Sequence, residues 1–199
     1  MPRAGSRTAA LSDEALLKAE LEYIIQTAFQ ANEDRARVSS FYLVAVGSLV
    51  AASFSAQFVE RSLSPIVAAW AFSALFLVLT LLGTLTSLQL ARLRAAWYES
   101  ALAMNQLKDY WLRNSADGQL KQAFRWDTST LPPKFKPNSI SYYQELEVAL
   151  LSGLTFGAGV YFVQQAVSYT CGACNWAYAV GFGLLACIVQ LILYKRNLG

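Results

Sequence analysis

Four apolar runs, residues 38–58, 65–90, 148–169 and 174–194, constrain this chain more than any other feature. Each is about 20 residues or more, the length an α-helix needs to cross a bilayer core. The expected fold is all-α: a polytopic membrane protein with four transmembrane helices, paired as two hairpins, and long cytoplasmic helical extensions. If the runs cross in succession, residues 1–37, 91–147 and 195–199 share one side, which holds all of the 16 Lys and Arg residues except Arg61. The positive-inside rule assigns that side to the cytoplasm. Two tight turns, near residues 60–64 and 170–174, then face outward, and the expected location is the plasma (inner) membrane with both termini cytoplasmic.

Composition agrees, because 55% hydrophobic residues, 15% charged residues and a mean hydropathy of +0.34 exceed what a soluble domain carries. The net charge of +3 does not signal nucleic acid. The basic residues are spread along one side and mixed with Asp and Glu, so topology and anionic membrane lipid account for them. A cleaved secretory signal is not expected, since Asp13, Glu14, Glu20, Glu22, Glu33 and Asp34 crowd the first 37 residues, which lack a short apolar core.

The amino-terminal region, residues 1–37, reads as a short leader followed by an amphipathic helix beginning near Ser12. Leu17, Leu21, Ile24, Ile25 and Ala28 fall on one face and Lys18, Glu22, Gln26 and Glu33 on others. No Pro or Gly occurs between Ser6 and Gly47, so this helix is expected to run unbroken into the first hairpin, residues 38–90. Pro65 opens the second helix, where its missing N–H does no harm. That helix continues inward, with Leu90, Leu93, Trp97, Ser100, Met104, Leu107 and Trp111 at heptad-like steps. The two inward seams either pack on each other as an antiparallel stalk or serve self-association and partner docking, through Leu17, Leu21, Ile24, Leu93, Trp97, Met104 and Leu107. The helix is expected to end at residues 114–118, with one more turn at 119–125.

Pro132, Pro133 and Pro137 mark residues 128–141 as a loop within the connection 91–147. Its Lys134 and Lys136, with Phe124, Trp126, Phe135, Tyr142 and Tyr143, suit either a bilayer interface or recognition of a soluble ligand or protein. Glu145 and Glu147 are expected to favour the start of the third helix by their charge alone.

Small and hydroxylated residues interrupt the apolar runs. In the second hairpin, residues 148–194, Gly153, Gly157, Gly159, Gly181 and Gly183 would let helices approach closely, within one chain or between subunits. On the second helix Ser73, Thr80 and Ser87 are spaced by seven, with Thr84 beside them and Arg94 continuing the line. On the first, Ser40, Ser48 and Ser55 share an arc with Gly47 and Ala51. Small hydroxyls line narrow aqueous paths, and they also make ordinary interhelical hydrogen bonds or bond to their own helix carbonyls. Ser73, Thr80, Thr84, Ser87, Ser48 and Ser55 are the pore-lining candidates.

No Asp, Glu, Lys, Arg or His interrupts the middle of any run, and the chain has no His at all. Ion-coupled transport, proton relays and voltage sensing usually need such groups at depth, whereas a passive pore does not. No internal repeat points to a transporter. Cys171 and Cys174 form a CxxC at the second outer turn, and Cys187 stands alone in the fourth run. The pair is compatible with a turn-closing disulfide, spectator thiols, redox sensing or catalysis. Quinone-linked membrane thiol oxidases are similar in placing a CxxC there, but such an enzyme needs a second cysteine pair. No metal site is expected, and no cofactor. Without a P-loop, GxGxxG, HExxH or nucleophile elbow, no enzyme activity is expected either.

The amphipathic helix 16–37 (LLKAELEYIIQTAFQANEDRAR), the hairpin with its short outer turn and the inward extension 90–111 together resemble the SLATT domain, over roughly residues 12–114. That family comprises small prokaryotic membrane effectors of nucleotide-signalling conflict systems, proposed to form pores that depolarise an infected cell. The resemblance implies a membrane pore in a defence setting, responsive to a nucleotide signal or a cytoplasmic protein partner. It rests on arrangement and assigns no residue a role, and the second hairpin is an addition to the two-span core.

Together these features lead to one expectation and two alternatives. The expectation is a homo-oligomeric pore or ion channel, conducting passively and gated from its cytoplasmic helices. The alternatives are a non-conducting anchor or accessory subunit that recruits a partner through those helices, and a CxxC-dependent thiol redox protein.

Overall fold

A computed structural model of the protein describes residues 5–59, 64–114, 127–167 and 172–198. Every regular element among them is a helix: α1 (Gly5–Val59), α2 (Pro65–Asn114), α3 (Ile140–Val167) and α4 (Gly172–Asn197). Each of the four contains a stretch long and apolar enough to cross a membrane, so the chain is an all-α polytopic membrane protein. Residues 119–125, the turn 60–63 and Cys171 lie outside the described residues.

Local chemistry sets the helix ends. α1 extends for 55 residues because nothing that breaks a helix occurs within it. Pro65 occupies the first position of α2, while Ser64 accepts the Val67 N–H on its hydroxyl at 3.3 Å and the Ala68 N–H on its carbonyl at 3.1 Å. At the far end of α2, the Asn114 amide donates to the Tyr110 carbonyl at 2.9 Å. Before α3, Asn138 adopts a φ of 62°, a conformation Asn tolerates better than most residues. Ser139 then caps the helix, its hydroxyl accepting from the Tyr142 N–H at 3.3 Å. α3 therefore begins at Ile140, well before its apolar run. This corrects the expectation for Glu145 and Glu147: they lie in the second turn, and Ser139 supplies the cap.

The chain divides into two compact units, one of Met1–Asp34 with Leu93–Lys134 and one of Arg35–Arg92 with Phe135–Gly199. In the first, Ile24, Ala31 and Asn105 are buried, and the hydroxyls of Thr27 on α1 and Ser100 on α2 lie 3.2 Å apart. Leu17, Leu21, Leu93, Trp97, Met104 and Leu107 are half-buried, so the α1 and α2 seams face each other here. The connection is tied down at several points. The Asn105 amide donates to the Asp127 carbonyl at 3.3 Å, Thr128 bonds Asp109, and Arg94 Nε donates to the Lys134 carbonyl at 3.2 Å with its guanidinium 4.3 Å from the Trp97 ring. Asp127 accepts from the Ser129 hydroxyl and from the Thr130 N–H, at 2.6 and 2.8 Å, bonds that favour its charged form and hold its pKa at about 2.

In the second unit, Tyr42, Val46, Leu79, Leu90, Ala91, Val148, Tyr194 and Leu198 form the apolar core, with Phe135 packed against it. Three glycines let α3 and α4 approach at backbone distance: a Cβ at Gly153 would lie 2.6 Å from the Gly183 carbonyl oxygen, one at Gly157 2.7 Å from that of Ala179, and one at Gly183 2.8 Å from that of Gly153. Gly159 instead faces Leu77 on α2, and Gly181 faces open space. The outer surface is apolar: Phe41, Val44, Val78, Leu81, Leu154, Leu184 and Ile188 are all exposed. For a soluble protein that would be an aggregation hazard, whereas in a bilayer it is the expected exterior.

Candidate functional site

A line of polar side chains in the membrane-spanning unit points the other way, into its interior. Ser73 and Ser87, each 1% exposed, lie on the buried side of α2, with Thr80 and Thr84 half-buried between them. From Ser73 to Ser87 the stripe covers roughly 20 Å of helix axis, about two-thirds of a hydrocarbon core. It meets side chains of α3 and α4 that extend it. The hydroxyls of Thr80 and Thr155 are 3.0 Å apart. Gln190 on α4 uses Nε2 twice, donating to Thr84 at 3.0 Å and to Ser152 at 2.6 Å. Thr84 and Ser152 both pass hydrogen bonds on to the Thr80 carbonyl, at 3.0 and 3.3 Å. Nearer Arg35, the Ser87 hydroxyl donates to Glu145 Oε1 at 2.6 Å, and Arg35 on α1 donates to Ser141 one turn before Glu145.

Gly83 makes this arrangement sterically feasible. A Cβ there would stand 2.5 Å from the Tyr42 hydroxyl and 2.7 Å from Ser152 Oγ, so only a residue without a side chain lets α1 and α3 bring these groups against α2. Among the described residues, two oxygens of the seam are buried without a hydrogen-bond partner: Glu145 Oε2 and Gln190 Oε1. Thr80 and Thr155 also donate to carbonyls of their own helices, at Phe76 and Ser152, each at 2.9 Å. Two apolar cavities lie in the unit: a groove of about 450 Å³ on α3 and α4, lined by Leu150, Leu154, Trp176 and Leu184 among others, and one of about 540 Å³ lined by Val50, Phe54, Phe72, Phe76 and Leu151 among others, which Thr155 of the seam also lines.

The candidates separate into two groups. Ser73, Thr80, Thr84 and Ser87 come together as one inward face, joined by Ser152, Thr155, Gln190 and Glu145. Ser48 and Ser55 do not join them; both are exposed, and Ser55 donates to its own helix at Ala51, 3.1 Å away. Cys174 is exposed with a free thiol, Cys187 is buried, and Cys171, the other half of the CxxC, lies outside the described residues. No group of three or more metal-ligating side chains occurs among the described residues.

Sequence reasoning missed the contributions of α3 and α4. Gln190 carried a readable signal as an amide deep within an apolar run. Ser141, Glu145, Ser152 and Thr155 recur at steps that share one helical face, overshadowed by the glycines between and beyond them. Gly83 carried no signal, because its role depends on what other helices bring to it. Comparison with known protein families, characterised proteins and solved structures finds no match to this chain.

Proposed function

We propose that this protein is a passive membrane channel, working as a homo-oligomer in the inner membrane with both termini and the 91–147 connection in the cytoplasm. One observation carries the proposal: hydroxyl, amide and carboxyl groups run in series through the interior of a four-helix unit whose exterior is apolar. Interhelical hydrogen bonds in membranes average only about 0.6 kcal/mol, so holding helices together does not require so many polar groups in one line. A water and ion path makes use of such a line, because permeating species exchange hydration for its oxygens. In the arrangement described, the seam groups bond to one another and to helix carbonyls, which corresponds to a closed state. Opening requires α2 to separate from α3 and α4 along the Thr80–Ser152–Gln190 contacts. The α1 and α2 segments of the first unit continue directly into the spans, so a ligand or partner acting on them has a mechanical route to the gate. The SLATT-like arrangement of residues 12–114 fits a defence effector opened by a nucleotide signal or a protein partner.

A second reading, a non-conducting anchor, draws support from a different feature. Leu16, Tyr23 and Phe29 on α1 and Tyr110 and Trp111 on α2 are exposed in the first unit, an apolar surface suited to a protein partner or to a second copy. Planar-bilayer recording of the purified protein separates the two. Single-channel steps favour the channel, and their absence under every trigger and lipid composition leaves the anchor.

A further inference from the structure

We infer that the cavity of about 540 Å³ binds one acyl chain of a membrane lipid, and that this chain clamps α2 against α3 beside the Thr80–Thr155 contact. Neither statement depends on whether the seam conducts. All four spans line the cavity, among them Val50 on α1, Phe76 on α2, Leu151 on α3 and Trp176 on α4. The exposure of its lining is graded. Phe54, Leu154 and Trp176 are 60%, 70% and 61% exposed, whereas Val46 and Thr155 are 6% and 3% exposed. The cavity therefore has its mouth on the apolar exterior, which faces lipid, and its floor at the polar seam.

The chemistry of the lining selects the occupant. A buried water needs about two to four polar partners. Apart from the Trp176 indole at the mouth, the polar side chains of the wall are Ser53 and Thr155, and each already donates to its own helix, to Leu49 at 2.7 Å and to Ser152 at 2.9 Å. Water is poorly held there, and hydrocarbon from the surrounding bilayer is well matched. Size agrees: roughly 150 Å³ admits one benzene ring, so this volume admits about three, the carbon count of one long acyl chain. A facing helix of a second copy would reach the floor only with single side chains, whereas an unbranched chain is thin enough to follow the wall inward. Along α3 that wall runs from Leu151 to Phe162, about 16 Å of helix axis. Trp176 is the residue type favoured at the boundary between hydrocarbon and headgroups, so the headgroup stays at that boundary while the tail turns inward. The Phe162 ring lies 5.2 Å from Phe72 and 5.8 Å from Phe76, an aromatic joint between α2 and α3 on which the chain rests. Parting the two helices forfeits the chain's contacts with one of them, which is how it clamps them.

The test uses the full-length chain as wild type, as Val50→Phe and Ser53→Phe, which narrow this cavity from α1, and as Leu184→Phe, which narrows the α3–α4 groove instead. Circular dichroism establishes that all four are helical. Each is placed in nanodiscs of phosphatidylethanolamine and phosphatidylglycerol with a trace of phosphatidylethanolamine bearing a diazirine on one acyl chain, and labelled residues are located by mass spectrometry after illumination. Wild type should carry several-fold more label at Val46 and Leu151 than at Val78 and Leu81 on the exterior. That label should fall several-fold in Val50→Phe and Ser53→Phe and persist in Leu184→Phe. Label in wild type no greater at Val46 and Leu151 than on the exterior means ordinary surrounding lipid and overturns the site, as does label that both cavity variants leave unchanged. Efficient disulfide cross-linking between copies carrying Phe54→Cys, in a background without the native cysteines, assigns the mouth to a second copy and also overturns it. For the clamp, the Tm in detergent should rise saturably as phosphatidylethanolamine is added to wild type, and not in Val50→Phe or Ser53→Phe. No rise in wild type, or an equal rise in all three, overturns the clamp.

Discussion

Ser87 on α2 donates a 2.6 Å hydrogen bond to Glu145 on α3, and neither residue is more than 1% exposed. The contact joins the first hairpin to the second through a charged or chargeable group, so its loss is costly on one side only. Replacing Ser87 by Ala leaves both carboxyl oxygens of Glu145 without a donor, and should destabilise the folded protein by about 1–3 kcal/mol. Replacing Ser55, which bonds only to its own helix, should change stability by less than about 0.5 kcal/mol. Reversible unfolding in mixed micelles measures both.

The glycines of the second hairpin give a test by contrast. Gly157→Val drives a side chain into the Ala179 carbonyl of α4, whereas Gly181→Val enters open space. The first should cost about 2 kcal/mol or more, because backbone cannot yield as a side chain can, and the second should be near neutral. Gly83→Ala is a third case, since its Cβ would meet side chains and not backbone, and Tyr42 and Ser152 must shift out of the seam to admit it. Equal tolerance of Gly157→Val and Gly181→Val would show that α3 and α4 are not in backbone contact in the bilayer.

These cases also separate what the sequence discloses from what it withholds. The four spans, the long continuous α1 and the cap at Ser64 with Pro65 depend on composition and local propensity, which are written in consecutive residues. The inward face of Ser73, Thr80, Thr84 and Ser87 is legible for the same reason, as a helical period within one segment. Gly153 and Gly181 look alike in sequence but differ in what lies opposite, which only the pairing of α3 with α4 decides. Glu145 was hidden by position: near the edge of an apolar run it resembles a helix-start acid, and its burial depends on α3 beginning several residues earlier.

Outside the spans, Asp127 offers a test by pH. Its carboxylate is held below the ordinary 3.8 to about 2 by the Ser129 hydroxyl and the Thr130 N–H. A depressed folded-state pKa means that the turn is supported above the ordinary carboxylate range and loses that support as pH falls through about 2. Side-chain carboxyl NMR should find Asp127 titrating near 2, and Ser129→Ala should move it up toward 3.8. An unshifted midpoint in the variant would remove Ser129 from the turn.

The distribution of Lys and Arg determines a topology test. A reporter fused after Gly199 or inserted near Gly118 should be cytoplasmic, and one near Ser62 or Gly172 should be reached from outside. Opposite labelling would invert the orientation and place the Glu145 end of the seam on the outer side.

The conducting face is tested by cysteine scanning in a background without Cys171, Cys174 and Cys187. Cys at Thr80 or Thr84 should react with small charged thiol reagents in the open state and alter ion flux, because these positions contact Thr155 and Gln190 inside the unit. The closed state should protect them, since the same hydrogen bonds exclude water. Leu79 and Leu82 are the controls: Leu79 is fully buried and Leu82 lies on the apolar exterior, where reagents have poor access and thiolates form poorly. Ser48 and Ser55, exposed on a different face of the unit, decide between two paths. Reaction at Thr80 and Thr84 with silence at Ser48 and Ser55 places conduction inside each four-helix unit. The reverse pattern places it between units, lined by α1, and reassigns the Thr80–Ser152–Gln190 network to packing.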